Sequence, residues 1–102
     1  MADREALLKQ MATEFPDSAM AAFSLGGFYL EAKRYADAES CLERATALQA
    51  DYAAAWVALG DARAQLGLPD KARAAYAQAR SHAVAQGHSS LAEEIDRKVS
   101  GL

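Results

Sequence analysis

Residues Ala54 to Gly67 read AAWVALGDARAQLG, a run rich in helix formers with a glycine, Gly60, at its centre. Glycine inside a helix costs up to about 1 kcal/mol relative to alanine, so one placed there points to another backbone passing close by. Trp56, Leu59 and Gly60 fall on one helical face at the i, i+3, i+4 spacing. The stretch therefore reads as one half of a tight helix pair, with the small residues Ala72 and Ala79 admitting it from the other half.

Caps and breakers extend this reading to about six helices joined by short turns. The first covers about Asp3 to Glu14 and ends before Pro16. The second opens at Asp17 or Ser18 and runs to about Ala32, and the third spans about Tyr35 to Leu48. Asp51 is the expected cap of the fourth, which stops near Gly67. Pro69 suits the first turn of the fifth, which ends near Ala85 with Gly87 as a left-handed cap. Ser90 and Glu93 have capping-box spacing for the sixth, whose stripe is Leu91, Ile95, Val99 and Leu102. No run alternates β-branched and polar residues over a strand's length, so no strand is expected.

Shifting the chain by thirty-four residues aligns Leu25-Gly26 with Leu59-Gly60, Ala38 with Ala72, Leu42 with Tyr76 and Ala45 with Ala79. In a chain that is about a quarter alanine, the columns that agree matter more than the number of identities. Those columns resemble the tetratricopeptide repeat. Trp56, Leu59, Gly60, Ala72, Tyr76 and Ala79 match its pattern in 53–86; Ala22, Leu25, Gly26, Tyr29, Tyr35, Ala38, Leu42 and Ala45 follow it in 19–52. Leu8, Met11 and Pro16 fit the second helix of a preceding half-repeat within 3–18. Arg63, Pro69 and Ala22 depart from the pattern, where the family usually has an aromatic, a tyrosine and a large residue. Glu93-Glu94 replaces Leu-Gly, so 88–102 reads as a terminal helix that caps the stack. The resemblance implies an all-α fold over 1–102: antiparallel helix-turn-helix repeats stacked as a short right-handed α-solenoid.

Charge and composition narrow the function classes. A net charge of −3, with 11 Lys and Arg scattered among 14 Asp and Glu, disfavours nucleic acid and anionic membrane as partners, since both recruit basic patches. No segment reaches the roughly 18 uncharged apolar residues of a membrane span. The N-terminus has charges where a secretory signal needs an apolar core, and a single cysteine, Cys41, suits a reducing compartment; a cytoplasmic location is the expectation. Cys41, His82 and His88 share no catalytic spacing: Cys41 reads as a small hydrophobe, His82 as structural and His88 as solvated. With no CxxC, HxxxH, EF-hand or phosphate loop, neither metal nor cofactor is expected, and no enzyme.

In the family, the first helices of successive repeats line a concave groove that binds peptides or helices. The matching positions here are Met20, Phe23, Gly27, Leu30 and Glu31, then Ala54, Val57, Asp61, Ala64 and Gln65. Met20, Phe23 and Leu30 make an apolar strip that either takes a partner or lies under the first helix through Leu7, Leu8 and Met11. Some members grip chaperone tails through lysine and asparagine at four of these places; Phe23, Gly27, Val57 and Asp61 stand there instead, which suits an apolar or weakly basic segment better. An adaptor for another protein is the first reading. The second is a self-associating unit, a homodimer, whose stripe Leu91, Ile95 and Val99 enters a neighbour's groove or pairs with its twin.

Overall fold

The computed structural model describes residues 3–102; Met1 and Ala2, included in the expected unit, lie outside the described residues. The order is α1 (Arg4–Glu14), α2 (Ala19–Glu31), α3 (Tyr35–Leu48), α4 (Ala53–Gln65), α5 (Pro69–Ala85) and α6 (Ser89–Ser100), with no strand among the described residues. α2 pairs with α3 and α4 with α5; α3 and α4 join these hairpins, α1 packs on α2, and α6 packs on α5. The result is a short α-solenoid of 39 × 27 × 21 Å.

Both hairpins close on a glycine. A Cβ built at Gly60 would lie 2.5 Å from the Tyr76 ring, and one at Gly26 would lie 2.7 Å from Leu42 Cγ. The expected close approach is present, but what fills the space is the large side chain opposite each glycine, with Ala72 and Ala79 fully buried alongside. Leu42, Leu59 and Ile95 are the largest fully buried side chains, one each on α3, α4 and α6, so the core runs along the stack.

Three helix ends turn in the same way. The residues after the caps of α2, α4 and α5 are Lys33, Gly67 and Gly87, with φ of 62°, 75° and 76°. Next to each, the N–H of Arg34, Leu68 and His88 donates to the carbonyl of Tyr29, Arg63 and Ala83 at 2.8–2.9 Å. This is a Schellman closure, in which a left-handed residue satisfies carbonyls left open at a helix end. Gly67 and Gly87 announce it in the sequence; Lys33, a residue that rarely takes this conformation, does not.

Two expected caps are not made. The fourth helix is entered from Tyr52 rather than Asp51, and the sixth begins at Ser89, so Ser90 is already inside it and forms no capping box. In each case the Tyr52 or His88 carbonyl accepts the first helical bonds, from Trp56 and Ala92, and no side chain caps. At α2 the choice resolves to Ser18, whose Oγ accepts from Ala21 N–H at 3.1 Å.

A polar column reinforces the stacking. Tyr29 on α2 donates its hydroxyl to Glu5 on α1 at 3.1 Å, and one period later Arg63 on α4 donates to Glu39 on α3 at 3.1 Å. Donor and acceptor columns both repeat, Tyr29 with Arg63 and Glu5 with Glu39. Arg63, standing where an aromatic was expected, also reaches Glu43 at 3.1 Å, and its side chain is only 15% exposed.

Glu5 is the hub of the first of these links. Lys9, then Arg34, and beyond them the Tyr29 hydroxyl lower its carboxyl from 4.5 to about 2. A lowered folded-state value means that the ionised form stabilises the fold above pH of about 4.5, and that this contribution disappears as pH falls toward 2. The melting midpoint should therefore drop across that window, and Glu5→Gln should lower it at neutral pH while flattening the acid limb. An acid limb identical in parent and variant would mean that Glu5 has no part in it.

Candidate partner-binding groove

The C-terminal ends of α2, α4 and α6 surround an open cleft of about 460 Å³. Leu30, Asp61, Ala64 and Gln65 of the expected groove line it together. Its other wall was not anticipated: Arg97, Lys98 and Leu102 come from the end of α6, and Tyr35 and Tyr76 also line the cleft. Running the period once more would have found part of this wall, because Leu30, Ala64 and Lys98 occupy one column. Reading 88–102 only as a cap hid that.

The remaining expected residues are placed elsewhere. Val57 is 8% exposed and packs with Tyr76 and Ile95 in the core, so it offers a partner almost no surface. The Phe23 ring is half-buried and tilts against Tyr52 with centroids 4.9 Å apart. Met20 is 70% exposed, and a Cβ at Gly27 would meet nothing within 4 Å, so the N-terminal part of this side stays uncovered. α1 does not roof it: Leu8 is buried against α2, while Leu7 and Met11 face outward. Glu31 is exposed beyond the cleft, and Ala54 lines a separate shallow cleft with Tyr52 and Leu91.

The sixth helix covers its own stack. Ile95 is fully buried, Leu91 and Leu102 are half-buried beside it against α4 and α5 residues, and Val99 is 37% exposed. The expectation that Leu91 and Ile95 reach into a neighbour is thereby corrected, since both already pack within this chain.

Electrostatics inside the cleft are set by Asp61. Its Oδ1 accepts from the Tyr76 hydroxyl at 2.6 Å and from Lys98 Nζ at 3.0 Å. Burial first, and then this hydrogen bond, push the Tyr76 hydroxyl well above its ordinary value, so it remains a donor. Arg97 differs. It continues the donor column of Tyr29 and Arg63, but the acceptor column that carries Glu5 and Glu39 carries Arg73 on α5. Arg97 consequently has no carboxylate within ion-pair distance among the described residues and stands at the cleft as an uncommitted cation.

Burial, followed by the charge of Asp37, pushes the Cys41 thiol up, away from the thiolate that nucleophilic chemistry needs. His82 is half-buried and His88 exposed. Among the described residues no three His, Cys, Asp or Glu side chains converge so as to hold a metal ion, and no helix is long and apolar enough to cross a membrane.

Known proteins offer two kinds of likeness. The solution structure of the Bordetella parapertussis protein BPP2914 superposes with a TM-score of 0.83 at 24% identity, over 98% of this chain and 87% of that one, which shows the fold. No curated protein matches the chain. Two tetratricopeptide repeat family models match, one over residues 5–51 and the other over 29–88. The second spans more than half of the sequence, and the paired helices, the glycine contacts and the repeated turns agree with it: the chain belongs to the tetratricopeptide repeat family.

Proposed function

We propose that this protein is a non-enzymatic adaptor that holds a helix or extended segment of another protein in the cleft between α2, α4 and α6. Repeats of this family are generally protein–protein interaction modules. The observation that carries the finer reading is the cleft itself, where apolar surface from Leu30, Ala64 and Leu102 lies beside a cation, Arg97, that the fold leaves unmatched. Asp61, which on sequence grounds favoured a weakly basic partner, is neutralised by Lys98. The cleft thus suits an apolar segment carrying an acidic residue, with apolar contact supplying affinity and the Arg97 pair supplying register.

The test compares immobilised parent protein with a Leu30→Gln, Arg97→Glu double variant as baits in a lysate; Phe23 is left intact because its ring supports Tyr52. A captured segment should be lost by the double variant, and, added to isotope-labelled parent, should shift the amides around Leu30, Ala64, Gln65 and Arg97. Segments retained by the variant, or shifts confined to the outer faces of α3 and α5, would reject this cleft as the binding site.

A further inference from the structure

We propose that the outer side of α1 binds a second copy of this chain, antiparallel, about a twofold axis beside Met11. Leu7 and Met11 lie one turn apart on α1, Phe15 follows at the same step as its C-cap, and the three are 57%, 39% and 58% exposed. They are not what fastens α1 to the stack, which is the work of Leu8 and Ala12. Two periods later the same columns hold Ala75, Ala79 and Ala83 of α5, each fully buried. The side that α5 buries inside the stack is therefore the side that α1 leaves open, and it carries large apolar residues.

A helix in the repeat's own close geometry does not fit there. In both repeats that geometry has a fully buried alanine in the Met11 column, Ala45 and Ala79, and another in the Arg4 column, Ala38 and Ala72, with only Cys41 or Ala75 in the Leu7 column; α1 has Arg4, Leu7 and Met11 there. A ridge of bulky side chains instead needs another such ridge, packed at a wider spacing. The stripe meets this need itself. Its three residues are symmetric about Met11, so an antiparallel copy sets Leu7 against Phe15 of the second copy and Met11 against its own equivalent.

Charge agrees with that direction. Arg4 lies three residues before Leu7 and Glu14 three after Met11, on the flanks of the stripe. In the antiparallel pair Arg4 of each copy comes about 6 Å along the axis from Glu14 of the other, within side-chain reach, whereas a parallel pair would set like charges side by side. Within one chain Arg4 lies 5.9 Å over the Phe28 ring and Glu14 accepts from Gln10 at 2.9 Å, both exposed arrangements that can exchange. A contact confined to one short helix is smaller than the roughly 800 Å² per partner of a standard stable interface, so the pair forms in a concentration-dependent way.

Sedimentation equilibrium between about 10 μM and 1 mM should show the mass rising from one chain toward two. Met11→Glu, at an exposed site, should weaken association at least about tenfold without loss of helicity. Arg4→Glu and Glu14→Arg should each weaken it several-fold and, combined, restore it. In a Cys41→Ala background, Met11→Cys should oxidise to a cross-linked dimer while Thr13→Cys, on another side of α1, should not. A single-chain mass at the highest concentration overturns the proposal and leaves the face to a helix of some other protein. Association that survives Met11→Glu, or charge variants that fail to rescue each other, overturns it as well. None of these variants touches the cleft, so the adaptor reading stands or falls separately.

Discussion

Gly60→Ala should destabilise the protein by about 1 to 3 kcal/mol, although alanine is the better helix former by up to about 1 kcal/mol. The added methyl would start 2.5 Å from a ring carbon of Tyr76, and Tyr76 has little freedom to retreat. Its ring is 2% exposed, packed among Val57, Ala72 and Ile95, and its hydroxyl is held by Asp61 at 2.6 Å. The strain must therefore be relieved by separating α4 from α5, which loosens the packing along the whole hairpin. Gly60→Leu should cost at least as much. Gly27→Ala provides the internal control: its Cβ would meet nothing within 4 Å, so the same change in a helix of the same repeat family should raise stability by roughly 0.5 to 1 kcal/mol. In a domain of this size each kcal/mol moves the melting midpoint by about 4–8 °C, so the two variants should separate clearly in thermal melts. Equal midpoints for Gly60→Ala and Gly27→Ala would place Gly60 on an open surface and refute the pairing of α4 with α5 as described.

Gly60 was legible because a glycine at a helix centre demands a physical reason, and the thirty-four-residue period supplied one. The same logic located Gly67 and Gly87 as turns, since glycine takes the left-handed conformation without steric cost. Lys33 makes the identical turn and gave no signal, because its conformation is imposed by the Tyr29 and Leu30 carbonyls to which its turn is bonded and not by its own preference. Asp51 and Ser90 misled for the opposite reason: both have good cap chemistry, but the turns deliver Tyr52 and His88 to the cap positions. The cleft was half legible. Leu30, Asp61, Ala64 and Gln65 were placed by register alone, while Arg97 and Lys98 depend on where the last helix lies, and that is decided by tertiary packing of Ile95. Val57 shows the limit of register reading, because a column that faces a groove in an extended array becomes core where a capping helix lies over it.

That role of Ile95 carries the second large expectation. Ile95→Ala should cost about 2 to 5 kcal/mol, since it removes the one fully buried bulky side chain through which α6 grips the stack. Val99→Ala, on the same helix at 37% exposure, should cost much less, and the contrast separates core contact from helix propensity. The form of the loss matters as much as its size. α6 is terminal and packs mainly on α5, so its detachment is a local opening that the other five helices can survive in part. Hydrogen exchange should accordingly accelerate first in the amides of Ala92 to Val99, ahead of those in α2 and α3. Once α6 lifts, Val57 and Tyr76 lose their cover and Asp61 loses the Lys98 charge, so the cleft loses its third wall and becomes an open apolar end of the stack. Ile95→Asp, which adds an unpaired buried charge to the lost contact, should therefore aggregate on warming instead of melting reversibly. If Ile95→Ala leaves α6 amides as well protected as those of α5, the sixth helix is held by its flanking ion pairs, Arg80 to Asp96 at 2.8 Å and Lys98 to Asp61 at 3.0 Å, and the apolar account of the cap is wrong.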